Sequence, residues 1–309
     1  MEASITFKKV SQLKYGRTVL AGLSFGIERN STVAIIGDND DSGLTEFLRI
    51  IAGLSDPNYG SLYIHGLDSI KRRLEIRNLI GYVPFENDMD PWLTAEQNIN
   101  FINNFYNVDN KILKEKYKYY VYALDLREKV NIDVNKLSPG VLRKFTLLRE
   151  LSRDPKILVL DHPTAFMNAK DRSLTWDLLH SLHNKLTMIY SSSSLNVIEN
   201  FHDRILVFHN SKIDLDNNLE NMLKNWMGHY QFTIHFEKFL TPLFDKIKMV
   251  QDIISPVIKE NALIFNANNR SVLLRVMTLL SGVTIIDINI KRFHLHDLLA
   301  ARYVHEGIV

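Results

Sequence analysis

The sequence predicts an α/β fold with a parallel sheet over its first two thirds, followed by a smaller α+β domain. Four short apolar runs are continuous rather than alternating, which is typical of strands covered on both faces. They are 33–36, 157–160, 188–190 and 205–208. Segments with helical periodicity separate these runs, and strands that alternate with helices indicate an α/β core. The pattern of apolar and polar residues changes after about residue 215, where shorter predicted elements begin.

The elements of the first part follow in chain order. Two strand-like segments, 4–10 and 19–28, flank the turn Lys14-Tyr15-Gly16 and predict an antiparallel edge. Four apolar stripes then have the spacing of one helix face. They are Leu44, Phe47, Leu48 and Ile51; Ala95, Ile99, Ile102 and Tyr106; Leu142, Phe145 and Leu148; and Leu174, Leu178 and Leu182.

The C-terminal region predicts the order βαββαβ of a ferredoxin-like two-layer domain. The predicted strands are 230–237, 252–258, 262–267 and 283–290, and the predicted helices are 242–249, 271–280 and a short one from 295. We therefore divide the chain into a domain at 1–217 and a small domain at 218–309. His294, His296 and His305 are spaced too irregularly to predict a metal site.

Composition excludes several functional classes. Lysine and arginine total 37 against 35 aspartate and glutamate, and no five like charges stand together, so nothing favours nucleic acid as a partner. The absence of cysteine excludes disulfides and thiol chemistry and suits a reducing compartment. The N-terminus has no secretory apolar region, and no apolar run approaches the ~20 residues that span a bilayer. We therefore expect a soluble chain.

A strand that ends at Gly37, a loop and a helix from about Ser42 form an arrangement that commonly holds phosphate, because a helix N-terminus offers free N–H groups and a positive dipole. Residues 37–45 read GDNDDSGLT. This loop resembles that of the ATP-binding subunits of ABC transporters, which runs G-x-N-G-A-G-K-[ST]-T. Gly37, Asn39 and Thr45 match it. The resemblance implies a P-loop NTPase core with a helical subdomain at about 86–152.

The chemistry of this loop is altered. Gly43 stands where the family has its lysine, and Leu44 stands where it has the magnesium-binding hydroxyl. Asp38, Asp40 and Asp41 add negative charge where a polyanion would bind, and like charges about 4 Å apart cost roughly 4 kcal/mol near a surface. We therefore expect ATP and magnesium binding to be lost or weak, with the carboxylates capping the helix instead.

The same loop also begins like a calcium loop, with the pattern D-x-D-x-S-G. Its twelfth position is Arg49, where an EF-hand needs a bidentate glutamate. Calcium is therefore the weaker interpretation, and no metal site is predicted.

Further ABC landmarks occur in the family's order over roughly residues 4–215. Tyr15 stands where the family stacks an aromatic ring on adenine, although a turn aromatic that covers the sheet edge would look the same. Residues 137–141, LSPGV, resemble the signature L-S-G-G-Q and keep Ser138 and Gly140. Asp203-Arg204-Ile205 matches the closing D-R-I strand.

The catalytic landmarks keep their positions but change their key residues. GYVPFE at 81–86 resembles the Q-loop, with Phe85 in place of glutamine. ILVLDHPT at 157–164 resembles the Walker B strand, with Asp161 kept and His162 in place of the catalytic glutamate. Phe166-Met167-Asn168 stands at the D-loop, and Ser193 replaces the switch histidine.

Hydrolysis needs a cation and magnesium on the phosphates, a positioned water and a general base. Only His162 could accept a proton, since its ordinary pKa is near 6.5. The resemblance therefore implies a pseudo-ATPase subunit without catalytic residues. Two alternatives stay open: an atypical but functional ATPase subunit, and a soluble scaffold or regulatory protein unrelated to transport.

The resemblance also implies partners and a location. ABC cassettes work as sandwich dimers, so we expect a second ATPase subunit or a second copy as a partner. Ser138 and Gly140 could then contact an ATP molecule bound by that partner. Pro139 and Val141 count against this contact, since proline removes an N–H. Membrane permease subunits would dock near Phe85, Glu86 and Trp92, unless Trp92 packs under its own loop. The expected location is cytoplasmic, peripheral on the inner face of the cytoplasmic membrane.

The C-terminal end carries a resemblance of its own. Residues 287–299 are similar to the tail of ATPases from ABC export systems that keep their ATPase and membrane segments on separate chains. The resemblance implies that residues 218–309 form an accessory or dimerisation module, and it rests on analogy between folds.

Overall fold

The computed structural model describes residues 3–37, 43–106, 110–238 and 241–303. The chain divides into two compact units, Met1–Asp216 and Asn217–Val309, one residue before the boundary placed from the sequence. Each unit has a hydrophobic core of its own. Among the described helices, none has the length and apolarity needed to cross a bilayer.

The first unit alternates strands and helices. Its strands are β1 (Ala3–Lys14), β2 (Arg17–Glu28), β3 (Thr32–Gly37), β4 (Tyr59–Ile64), β5 (Leu67–Asp68), β6 (Ile80–Val83), β7 (Ile157–Leu160), β8 (Thr187–Ser191), β9 (Arg204–His209) and β10 (Lys212–Asn217). Its helices are α1 (Leu44–Ile51), α2 (Arg73–Leu79), α3 (Ala95–Phe105), α4 (Asn110–Ala123), α5 (Pro139–Ser152), α6 (Ala169–Ser181) and α7 (Leu195–Asn200).

Two sheets organise this unit. The central sheet has the order β10-β9-β3-β8-β7-β6, and the pairs β9/β3, β3/β8, β8/β7 and β7/β6 are parallel. The four apolar runs lie in β3, β7, β8 and β9, which are almost wholly buried, as expected of strands covered on both faces. An antiparallel sheet with the order β2-β1-β4-β5 forms the N-terminal part. The predicted fold class is confirmed.

Helices α3, α4 and α5 lie between β6 and β7 along the chain. Helix α3 begins with a capping box, in which Thr94 and Gln97 satisfy each other's backbone N–H groups. Helix α5 is buried on all sides from Gly140 to Ser152, although its sequence carries several charges. The stripe Leu142, Phe145 and Leu148 therefore describes only part of its buried surface. In α6 the buried face is rotated from the prediction, because Trp176 and Leu179 are buried while Leu174 and Leu182 are half-buried.

The second unit has the order αβαββαβα. Its elements are α8 (Leu219–Trp226), β11 (Tyr230–Phe236), α9 (Thr241–Lys248), β12 (Ile253–Lys259), β13 (Ala262–Ala267), α10 (Val272–Leu279), β14 (Ile285–Arg292) and α11 (Leu295–Tyr303). The strands form an antiparallel sheet with the order β12-β13-β11-β14. This is the ferredoxin-like arrangement expected from the βαββαβ pattern. Phe232, Ile234 and Phe265 form the centre of its core.

Candidate functional site

The carboxyl ends of β3, β6, β7 and β8 carry most of the predicted site residues. Gly37 is the last residue of β3. Asn39, together with the acidic residues at 38, 40 and 41, lies outside the described residues. The chain is described again at Gly43, which precedes α1 with a left-handed φ of 77°. A Cβ at Gly43 would lie 2.1 Å from the carbonyl oxygen of Val19, so this backbone accepts only glycine.

The two residues after Gly43 belong to α1. Leu44 is half-buried and packs against the hydrophobic core of the unit. Thr45 is exposed. The side chain at 44 is therefore part of the packing and offers no oxygen ligand to the site.

A buried carboxylate lies directly after β7. Asp161 is 2% exposed, and its Oδ1 accepts a hydrogen bond of 2.8 Å from the hydroxyl of Ser191 at the end of β8. The same hydroxyl accepts the backbone N–H of His162 at 2.9 Å. The Oδ2 of Asp161 is buried and has no hydrogen-bond partner. Such an atom is costly unless something pairs with it.

Three aromatic rings from the loops after β6 and β7 form a cluster. The ring of Phe85 meets the imidazole of His162 edge-on, with centroids 5.5 Å apart. Its centroid also lies 5.6 Å from that of Phe166, with the two rings tilted. Phe85 is 43% exposed and Phe166 is 64% exposed, so the cluster forms part of the surface. Burial lowers the pKa of His162 below its ordinary value; the negative charge of Asp161 opposes this, and the positive charge of Arg143 adds to it. His162 is therefore held in its neutral form.

Arg143 of α5 joins the loops of the site. Its Nε donates to the carbonyl oxygen of His162 and its Nη1 to that of Phe85, each at 2.7 Å, and its Nη2 donates to that of Asp161. The side chain is buried, and burial lowers its pKa. Sequence reasoning missed this residue. The adjacent cations at 143 and 144, inside an otherwise apolar stripe, were the available signal.

The start of α5 is packed against the loop that follows His162. Ser138 is the exposed N-cap residue, and Pro139 occupies the first helical position, where the missing N–H costs no hydrogen bond. A Cβ at Gly140 would lie 2.6 Å from the carbonyl oxygen of Phe166 and 3.1 Å from Cα of Met167. Gly140 is therefore required by packing within the chain.

A comparison with protein families identifies this arrangement. The family model described as ABC transporter matches residues 20–165, which run from β2 to the loop after β7. These residues form an ATP-binding domain of the ABC transporter family. The match includes the phosphate loop, the Q-loop, the signature and Walker B.

Individual relatives agree with this assignment. The Nod factor export ATP-binding protein I of Burkholderia lata is 29% identical over 206 residues, which are 66% of this chain and 67% of the relative. That of Rhizobium etli is 25% identical over 253 residues, 80% of each chain. In fold, an ATP-binding subunit of an ABC transporter has a TM-score of 0.68 at 18% identity, over 72% of this chain and 92% of its own. A dimeric bacterial ABC transporter cassette has a TM-score of 0.64 at 24% sequence identity, over 70% of this chain and 98% of its own.

Magnesium prefers six oxygen ligands in octahedral geometry. Among the described residues of this ABC site, the only buried acidic oxygen without a hydrogen-bond partner is Oδ2 of Asp161, while Leu44 and Phe85 offer no side-chain oxygen. Over the described ranges, no group of three or more histidine, aspartate or glutamate side chains could hold a metal ion. Among the described residues, positions 44 and 85 therefore supply no magnesium ligand.

Two other predicted contacts lie at the surface. Tyr15, in the turn between β1 and β2, is 96% exposed, so it does not cover the sheet edge. Its neighbour Lys14 pairs with Glu46 of α1 at 3.1 Å, which holds the turn next to the phosphate-loop helix. Ser193, at the switch position after β8, is exposed and stands apart from the Asp161 hydrogen bonds.

The Trp92 loop (residues 88–94) follows the Q-loop and precedes α3. Trp92 is 84% exposed, so the interpretation that it packs under its own loop is wrong. The loop is held by Asn98, which is 5% exposed: its Oδ1 accepts the N–H of Asp90 at 2.8 Å, and its Nδ2 donates to the carbonyls of Asp90 and Thr94. The indole is therefore presented on an ordered loop.

The Trp92 loop is also tied to the buried helix α5. Asp88 accepts a hydrogen bond of 2.6 Å from Nη2 of Arg149. Phe85 and Glu86, which precede the loop, are both exposed. The three residues predicted to face a membrane subunit therefore stand on one exposed segment.

Proposed function

We propose that this chain is a catalytically inactive ABC-type subunit, which serves as a structural and docking component of a membrane transporter complex. The observation that carries the proposal is the aromatic cluster of Phe85, His162 and Phe166. It occupies the Q-loop, catalytic-glutamate and D-loop positions, where hydrolysis needs polar groups. Family membership supports the transport setting.

The phosphate side of the site supports the same proposal. A lysine cannot occupy position 43 without a change of backbone, because the Val19 carbonyl stands where its Cβ would be. Leu44 supplies packing in place of a magnesium ligand. We expect ATP with magnesium to bind weakly or not at all.

Titration of the purified full chain with a fluorescent ATP analogue, with and without magnesium, tests the inactive assignment. We expect no magnesium-dependent binding at micromolar analogue and no phosphate release. Micromolar binding together with measurable phosphate release by the same preparation would instead support the atypical ATPase. An intact ABC ATPase, assayed in parallel, provides the positive control.

The partners proposed are membrane-spanning permease subunits and a second ATPase subunit, which would place the chain on the inner face of the cytoplasmic membrane. The exposed indole of Trp92 supports docking, since aromatic side chains held on an ordered surface are typical anchors of interfaces. No magnesium ligand or catalytic base is needed for this role.

Replacement of Trp92 by alanine tests the docking role. We expect Trp92→Ala to release the chain from a multi-span membrane protein that co-purifies with the wild type, without a change in melting temperature. Tyr59→Ala is the matched control, because Tyr59 is a 65% exposed aromatic outside the Trp92 loop. If Trp92→Ala lowers the melting temperature and leaves binding intact, the docking role is wrong. If the wild type binds no membrane protein, a scaffold unrelated to transport becomes the better account.

A further inference from the structure

The two edges of the C-terminal sheet differ in how they are protected. Strand β12 carries Pro256 and a bulge at Ser255, whose φ is 47°, both of which hinder pairing with another strand. Strand β14 has no proline, and most of its residues are exposed. The bulge at Ile286 interrupts its pairing near the start and leaves the regular stretch 287–292. Within the described ranges, the β12 edge is therefore blocked and the β14 edge is open.

The free hydrogen-bonding groups of β14 can be assigned from its partner strand. The N–H of Phe293 donates to the carbonyl of His229 at 2.9 Å, and antiparallel pairs alternate along the ladder. Residues 287, 289 and 291 therefore bond to β11, while Ile288 and Ile290 direct their backbone groups away from the sheet. The outward N–H of Ile288 is met only by the neighbouring Asp287 carboxylate, at 2.8 Å, as far as the described residues show.

The sequence of this edge is complementary to itself in one antiparallel register. If Asn289 lies opposite Asn289 of a second copy, Ile288 faces Ile290 and Asp287 faces Lys291. The two isoleucine pairs then use the outward backbone groups, and about four N–H···O=C bonds form between the copies. Each Asp287 meets an opposite charge on the same face of the sheet, where directly opposed charges stabilise pairing.

The side chains around this register also favour a second copy. Ile290 lies opposite Phe232 of the core and is still 39% exposed, because nothing in the described chain continues the sheet past β14. A twofold axis perpendicular to the sheet would place the helices of both copies on the same face of the joined sheet. The hydrophobic cores of the two copies would then be adjacent. A shift of two residues in one direction places Asp287 opposite Asn289, and a shift in the other direction places Lys291 opposite Asn289, so both lose the charge pairs.

We propose that β14 pairs antiparallel with β14 of a second copy, in the register centred on Asn289, so that two C-terminal domains form one eight-stranded sheet. The family resemblance offers dimerisation only as a general role, and the open edge supplies the surface and the register. The proposal does not depend on whether the first unit binds ATP. On pairing, the Asp287 carboxylate gives up its hydrogen bond from the Ile288 N–H and pairs with Lys291 of the second copy.

The test measures the oligomeric state of the full chain without nucleotide, by sedimentation velocity over a concentration series. We expect a reversible dimer for the wild type. Asp287→Lys and Lys291→Asp should each weaken it at least tenfold, because each places like charges opposite each other. An equimolar mixture of the two variants should restore the dimer, because the introduced lysine then faces the introduced aspartate and the two unchanged side chains face each other. Circular dichroism checks folding, since Lys291 also pairs with Asp297.

Three results would overturn the proposal. A wild type that stays monomeric up to about 100 µM shows that the edge is not used. A dimer that Asp287→Lys does not weaken, or that the mixture fails to restore, uses another surface or register. Stronger association of Asp287→Ala than of the wild type shows that Asp287 guards the edge against pairing.

Discussion

Helix α5 and the loops at the ends of β3, β6 and β7 border the same site, but different contacts hold their side chains in place. The charged side chains of α5 are buried and have protein partners: Lys144 pairs with Asp171 and the Leu124 carbonyl, and Glu150 accepts from Arg149 and Arg153. The loops after β6 and β7 instead present Phe85, His162 and Phe166, which are apolar or neutral.

This difference separates residues whose identity would be set by a bound ligand from residues whose identity is set by packing within the chain. Positions 43, 44, 85, 162 and 193, where the resemblance implies contacts to phosphate, magnesium or water, have changed to other chemistry, while Asp161 is kept. Gly140 and Arg143, which also border the site, serve contacts within the chain. Packing within the chain is therefore enough to explain this signature glycine, and the following predictions separate packing from ligand binding.

The largest effect is expected for Arg143→Ala. The substitution removes a buried guanidinium and leaves the carbonyls of Phe85 and Asp161 without this donor, while the carbonyl of His162 keeps only the N–H of Ala165. Unsatisfied buried groups cost about 1–3 kcal/mol each, so we expect a loss of about 3–5 kcal/mol in the stability of the first unit. Urea unfolding followed by circular dichroism measures it.

The controls for this prediction test geometry against charge. Arg143→Lys keeps the charge but cannot bridge three carbonyls, so it should recover only part of the loss. Arg127→Ala, which removes a cation stacked on the exposed ring of Tyr122, should change stability by less than about 0.5 kcal/mol. If Arg143→Ala is as stable as Arg127→Ala, α5 does not hold the loops.

An attempt to restore the phosphate loop by Gly43→Lys should fail. Both the left-handed φ of 77° and the 2.1 Å approach of a Cβ to the Val19 carbonyl oppose any side chain. We expect a loss of about 2–3 kcal/mol and no gain in affinity for magnesium and ATP. Calorimetry and the fluorescent-analogue titration measure the two quantities. A stable variant that binds ATP would show that a single substitution removed the function.

A smaller loss is expected for Gly140→Ala, about 1–3 kcal/mol, because the new methyl group meets the backbone of residues 166 and 167. Gly26→Ala is the matched control, since its Cβ would find neighbours only at 3.6 Å. Thermal melts without nucleotide compare the two. If Gly140→Ala is as stable as the control, this glycine is kept for a ligand or a partner, and the packing explanation is wrong.

These contrasts also explain what could be predicted from the sequence. The strands β3, β7, β8 and β9 could be predicted because they are continuous apolar runs. The C-terminal domain could be predicted from its βαββαβ order. Both predictions need only the period and the length of apolar segments along the sequence. The polar partners of α5 depend on side chains far apart in the sequence: Arg149 reaches Asp88, 61 positions away. No local pattern specifies such pairs, so the burial of α5 on every side was not predicted.

The same limit applies at the site. The motifs predicted that Asp161 and His162 follow a buried strand, and the resemblance implied that Phe85, His162 and Phe166 stand at three positions of the catalytic motifs. They did not predict that Phe85, His162 and Phe166 contact each other, or that Arg143 binds the backbone of their loops. Those contacts depend on the conformation of loops that have changed from the family pattern.

The smallest effect is expected from protonation of His162. Its pKa is lowered by burial, while the unfolded chain has a value of about 6.5. Below that pH the unfolded state therefore binds a proton that the folded state resists, and stability falls as the pH falls. His162→Asn, which suits the φ of 49° at this position, should make unfolding free energy less dependent on pH between 7.5 and 5. His202, whose pKa burial also lowers, remains in both proteins, so a difference in slope reports on His162 alone. Equal slopes would mean that the aromatic cluster does not hold His162 neutral.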